Sequence, residues 1–107
     1  MINQYVSVYV PSTREVNKPI SSGERIIITG EVVLKFTNSF GGCTTQDCRG
    51  AWKDSNDNIV YEDITIVKSF TDNPNALAIA REIALSLKKH LNQESVTIES
   101  NDGIEFI

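Results

Sequence analysis

The stretch SSGERIIITGEVVLKFTNSFGG, residues 21 to 42, decides the fold because it can be read in two ways. Ser21 and Glu24 have the spacing of a capping box, in which the serine oxygen accepts from the Glu24 N–H and the glutamate reaches back. Gly41 is placed to take the left-handed conformation just past a last helical turn. Between them Ile26, Ile27, Gly30, Val33, Leu34, Thr37 and Phe40 recur at helical spacing. Against a helix stands the β-branched run Ile26-Ile27-Ile28-Thr29, with a hairpin turning at Gly30-Glu31 as the alternative. The start and stop signals agree with each other, so a helix is the expectation.

Outward from this segment the pattern is clearer. On its N-terminal side, Gln4 to Val10 alternates strictly, with Val6, Val8 and Val10 on one face and Tyr5, Ser7 and Tyr9 on the other. That is a strand, ended by Pro11 and followed by a polar loop over Ser12 to Pro19. On its C-terminal side, Thr44 to Lys53 and Ile59 to Phe70 read as strands joined by the turn cluster Asp54-Ser55-Asn56-Asp57-Asn58. Ile64, Ile66 and Phe70 share a face of the second of these. Asn73-Pro74 then opens a helix, with asparagine at the cap and proline at the first helical position. Its stripe is Ala76, Ile79, Ala80, Ile83, Ala84, Leu87 and Leu91, and Lys88, Lys89 and His90 suit the negative end of its dipole. Ser95 to Glu99 is a last main strand, Asn101-Asp102-Gly103 a turn, and Ile104 to Ile107 a short edge strand. The order β-α-β-β-α-β, with that possible extra edge strand, predicts an α+β ferredoxin-like domain over 1-107: one antiparallel sheet with two helices on one face.

Such a sheet leaves its other face open. Tyr5, Ser7 and Tyr9 should lie there, joined by Tyr61, Asp63, Thr65, Val67, Thr97 and Glu99. A partly aromatic open sheet in a chain of 107 residues calls for cover by a second copy, a dimer or higher oligomer, or by a ligand. A net charge of -4 argues against nucleic acid as a partner. No apolar run is long enough to span a bilayer, so no membrane association is expected. Met1 to Tyr5 lacks a basic and then apolar leader, and a cytoplasmic location with reduced thiols follows as the expectation.

Chemistry-bearing motifs are few. Cys43 and Cys48 are five apart, and with His90 as the one histidine they fall short of a four-ligand zinc set, so no metal and no cofactor is expected. Gly41-Gly42 lacks phosphate-loop spacing and would sit at the negative end of a helix. Arg49, Trp52, Glu62 and Asp63 are the remaining constellation, brought together by the hairpin, with Arg49 either in a surface ion pair with a carboxylate or orienting a ligand against the indole. Glu62 and Asp63 point to opposite faces and make no carboxylate pair, so catalysis is the weaker reading.

The segments VYVPST (Val8 to Thr13), FGGCT (Phe40 to Thr44), RGAW (Arg49 to Trp52), YED (Tyr61 to Asp63) and QESV (Gln93 to Val96) resemble a family of small uncharacterised bacterial and mobile-element proteins. In that family FGG-x-T is followed by G-x-W and then a glutamate. The resemblance implies a helix before FGG, but no activity and no catalytic residue. A mobile-element setting implies a counter-defence protein that sequesters a host signal. The reading is therefore an oligomeric, non-catalytic binder of a small polar or nucleotide-like ligand. Its candidate contacts are Tyr9, Ser12, Thr13, Thr44, Thr45, Arg49, Trp52 and Glu62. The alternatives are a small enzyme of the dimeric α+β barrel kind using the open face, and an acidic protein-binding inhibitor.

Overall fold

The computed structural model describes residues 1–15 and 18–107. The deciding stretch is a helix. α1 spans Ser22–Phe40, Ser21 Oγ accepts from the Glu24 N–H at 3.1 Å, and Gly41 closes the helix at φ 89°. Only half of the expected capping box forms, because the Glu24 carboxylate turns away to an ion pair with Arg14.

Around α1 the described elements are β1 (Tyr5–Pro11), β2 (Thr13–Arg14), β3 (Lys18–Pro19), β4 (Thr44–Lys53), β5 (Ile59–Phe70), α2 (Ala76–Leu91), β6 (Thr97–Ser100) and β7 (Gly103–Phe106). The main sheet has the order β4-β5-β1-β6-β7, with every neighbouring pair antiparallel. Without β7 this is the ferredoxin-like arrangement, and β7 is the extra C-terminal edge, extended by paired backbone bonds between Val96 and Ile107. The expected loop over Ser12 to Pro19 instead carries the small β2-β3 ladder; Val16 and Asn17 within it lie outside the described residues. α2 begins two residues later than Asn73-Pro74 predicts. Asn73 spends its side chain on an Asx turn, accepting from the Asn75 N–H at 2.8 Å, and so cannot cap the helix.

The core lies between the sheet and the helices. Val6, Val8, Val10, Val67 and Ile98 of the sheet meet Ile28, Val32 and Phe36 of α1 and Ala80, Ile83, Ala84, Leu87 and Leu91 of α2. Two expectations are corrected here. In α1 the buried stripe is Ile28, Val32 and Phe36, whereas Ile26, Ile27 and Leu34 are exposed. Two apolar stripes compete on this helix; the one carrying Phe36 is buried, with its ring edge-on to Phe40 at a centroid distance of 5.3 Å, while Val33 and Phe40 of the expected stripe pack at the core margin. In β5 the register Val8 to Val67 and Val10 to Thr65 turns Thr65 and Val67, and with them Tyr61 and Asp63, to the helix side. Ile64, Ile66 and Phe70 therefore share the open face with Tyr5 and Tyr9. β5 is β-branched on both faces, so its pattern alone did not fix which side faces inward.

β4 and β5 outrun the rest of the sheet. β1 ends at Pro11, opposite Ile64, but the hairpin continues through five more rows, from Arg49–Asp63 to Lys53–Ile59. This two-stranded arm stretches the domain to 45 × 29 × 22 Å.

Candidate functional site

The open face has two carboxylates with different surroundings. At the β6 side, Glu99 accepts from the Tyr5 and Tyr9 hydroxyls, one on each oxygen and each at 2.6 Å. Lys68 lies over the Tyr5 ring at 4.2 Å and the Phe70 ring at 4.9 Å. The two phenols, and after them Lys68, hold the Glu99 carboxyl below the usual range. The bond to Glu99 first, then burial, raises the Tyr9 hydroxyl to about 12. Ser7, beneath these side chains, is fully buried. This cluster ties β1 to β6 across the exposed side of the sheet.

The second carboxylate is Glu62, at the end of the face where the arm begins. Alternation along β5 puts Glu62 on the open side, opposite Gly50 of β4. Thr13, at the start of the β2-β3 ladder, donates from Oγ1 to Glu62 Oε1 at 2.9 Å. Gln93, just past the left-handed Asn92 that ends α2, donates from Nε2 to both the carbonyl and the hydroxyl oxygen of Thr13. Three separate parts of the chain thus converge: the turn after β1, the root of the arm, and the loop after α2. Trp52 is on the same face one diagonal step from Glu62, half exposed, with its ring available to a flat partner.

The sequence-derived candidates divide. Thr13 and Glu62 meet directly, and Trp52 shares their face. Tyr9 is on that face but bonded to Glu99. Thr44 is also there, at the far end of β4 opposite Lys68. Ser12 lies in the adjoining turn, its carbonyl accepting from the Ile20 N–H. Thr45 and Arg49 fall on the helix side. Arg49 stands opposite Asp63, with Nε 3.9 Å from its carboxylate, and its guanidinium covers the Tyr61 ring at 4.7 Å. The expected grouping of Arg49 with Trp52 and Glu62 therefore fails, since residues 49 and 52 have opposite parity on one strand. Thr45 lines a groove of about 510 Å³ between α1 and β4, with Arg25, Ile26, Val33, Asp47 and Thr65. Glu99 lies on the open face, as its strand parity predicts, whereas Gln93 and Lys68 were missed as site-face residues. Both cysteines are free thiols: Cys43 packs against the core and Cys48 stands on the open face opposite Ile64.

No helix among the described residues is long and apolar enough to cross a membrane. No protein-family model and no curated protein sequence matches the chain. Solved structures do. One is a phage SAM lyase in complex with S-methyl-5'-thioadenosine, at TM-score 0.67 and 10% identity, covering 97% of this chain and 88% of that one. Another is a phage SAM lyase in the apo state, at TM-score 0.68 and 12% identity, covering 97% and 87%. The chain shares its fold with phage SAM lyases. The match runs over nearly the whole domain, so the small α+β architecture described above is shared with these structures.

Proposed function

We propose that this protein is an oligomeric binder of a small adenosine-containing ligand of the S-adenosylmethionine type, held beside Thr13, Trp52 and Glu62. By removing that ligand it serves a phage or other mobile element against its host. The observation that carries the reading is the backbone likeness, over 97% of the chain, to a lyase bound to S-methyl-5'-thioadenosine. The local chemistry agrees with it. An adenine is a flat aromatic that stacks on an indole, a ribose diol suits a carboxylate and a hydroxyl, and a sulfonium cation suits a chain of net charge -4.

A second reading, cleavage of the ligand, is favoured by the fact that both solved neighbours are lyases. On that reading Glu62, oriented by Thr13, is the group facing the reacting part of the substrate.

Calorimetric titration with S-methyl-5'-thioadenosine and with S-adenosylmethionine, followed by chromatography of the incubated mixtures, tests both readings. Saturable binding with S-adenosylmethionine recovered intact supports the binder. Release of the methylthioadenosine fragment moves the assignment to the lyase. Absence of binding to either nucleoside overturns the proposal.

A further inference from the structure

β4 is an edge strand of ten residues, and its outer side is bare. Among the described residues, β5 is its only strand partner, and no backbone bond outside the regular elements involves Thr44 to Lys53. Long exposed edges are normally shortened, bulged or covered, because they present unpaired N–H and C=O groups to any other strand. The arm sharpens the problem. Its five outer rows form an isolated two-stranded ribbon carrying exposed Trp52, Ile59 and Tyr61, and a ribbon of that kind is marginal without a third strand. The chain presents 6648 Å² of accessible surface, about a tenth more than the roughly 6,000 Å² typical of a monomer of its mass.

We infer that the β4 edge pairs with the β4 edge of a second copy of this chain, antiparallel about a two-fold axis at Cys48, making one continuous ten-stranded sheet. The charge order selects both the partner and the register. With the axis at Cys48, Asp47 of each copy stands opposite Arg49 of the other, so the interface holds two such pairs. Moving the axis by one residue sets Asp47 against Asp47 or Arg49 against Arg49. Asp47 is placed for the role: its side chain is 85% exposed, with Oδ1 accepting from Thr65 at 2.8 Å. Arg49 is 68% exposed and already directed along the helix side of the strand.

The same register gives the arm its third strand, because Gln46 to Thr44 of one copy run beside Gly50 to Trp52 of the other. It also brings the two grooves between α1 and β4 together across the seam. That accounts for Ile26, the most exposed isoleucine of α1. This inference stands on the edge and its charges, independently of what the open face binds.

The test is sedimentation velocity of the reduced protein with a charge swap. Wild type should sediment as a dimer or a multiple of it at about 100 μM. Arg49→Asp and Asp47→Arg should each weaken the dimer about tenfold or more, and the double variant should recover most of the loss. Helical circular dichroism of each variant separates lost pairing from lost folding. A covalent probe fixes the register. In Cys43→Ser, two Cys48 thiols facing across the axis should join on exposure to oxidised glutathione, which takes up the two electrons and the two protons and leaves as two reduced thiols. Cys48→Ser should not cross-link. A monomeric wild type, single variants as tightly associated as wild type, or cross-linking through Cys43 in place of Cys48 would each overturn the inference.

Discussion

Replacing Tyr9 by phenylalanine removes one hydroxyl and leaves the ring in place, so it isolates one arm of the Glu99 clamp. The lost bond is a 2.6 Å O–H to carboxylate contact, and the pair ties β1 to β6 across 90 residues of sequence. Hydrogen bonds to charged groups contribute about 1.5–3 kcal/mol to stability. Glu99 is only half-buried and keeps its second bond to Tyr5, so water and the remaining phenol recover part of the loss. Tyr9→Phe should therefore cost about 1–1.5 kcal/mol, roughly 4–10 °C in melting temperature for a domain of this size. The pH dependence gives an independent check. The Glu99 carboxyl is lowered in the fold, so its contribution is present above the ordinary carboxylate range and lost as pH falls through the lowered value. Tyr9 is raised to about 12 from an ordinary 10.0, so its contribution is present below pH 10 and lost as pH rises from 10 toward 12. Urea unfolding of wild type, Tyr9→Phe, Glu99→Gln and the double variant at several pH values measures both effects. If Tyr9→Phe costs less than about 0.3 kcal/mol, or if the two single costs add without coupling, the clamp is not a stabilising unit.

Three further outcomes are expected. Phe36→Ala empties the middle of the core, where the ring is fully buried against Phe40, and should cost about 3–5 kcal/mol by urea unfolding. Gly41→Ala forces a side chain into φ 89° at the end of α1 and should cost about 1 kcal/mol in the same assay, although its Cβ would meet nothing within 4 Å. Thr13→Val removes the hydroxyl bonded to Glu62 and, on the proposed function, should weaken binding of S-methyl-5'-thioadenosine about tenfold by calorimetry with little change in helix content.

The sequence made the fold legible wherever two local signals agreed. Ser21 and Gly41 bracket α1, and both act at its ends as their chemistry requires. The α2 stripe from Ala76 to Leu91 is buried or half-buried throughout, because a single apolar face leaves that helix one way to pack. Legibility failed where an element carries two apolar faces. α1 offers both Ile26-Ile27-Leu34 and Ile28-Val32-Phe36, and β5 is β-branched on both sides, so tertiary packing makes the choice. The site suffered from the β5 error in particular. With β5 inverted, Glu62 comes to the open face beside Thr13, and Arg49, opposite Asp63, falls on the helix side. Gln93 had no local signal at all, because its role depends on α2 ending beside the turn after β1.

On the proposed function, the two carboxylates of the open face divide into a structural acid and a binding acid. Both oxygens of Glu99 accept from tyrosines, and Lys68 adds a positive charge beside them. A cationic ligand approaching Glu99 would have to break short charge-assisted bonds and displace an ammonium already seated over two rings. Glu62 is held differently, through Oε1, by a hydroxyl that Gln93 in turn positions. That leaves its charge without a neighbouring cation among the described ion pairs, at the edge of a sheet where an indole shares the face. Charge and ring surface therefore favour the Glu62 end for an adenosine ligand. The Glu99 end serves to keep β6 on the sheet.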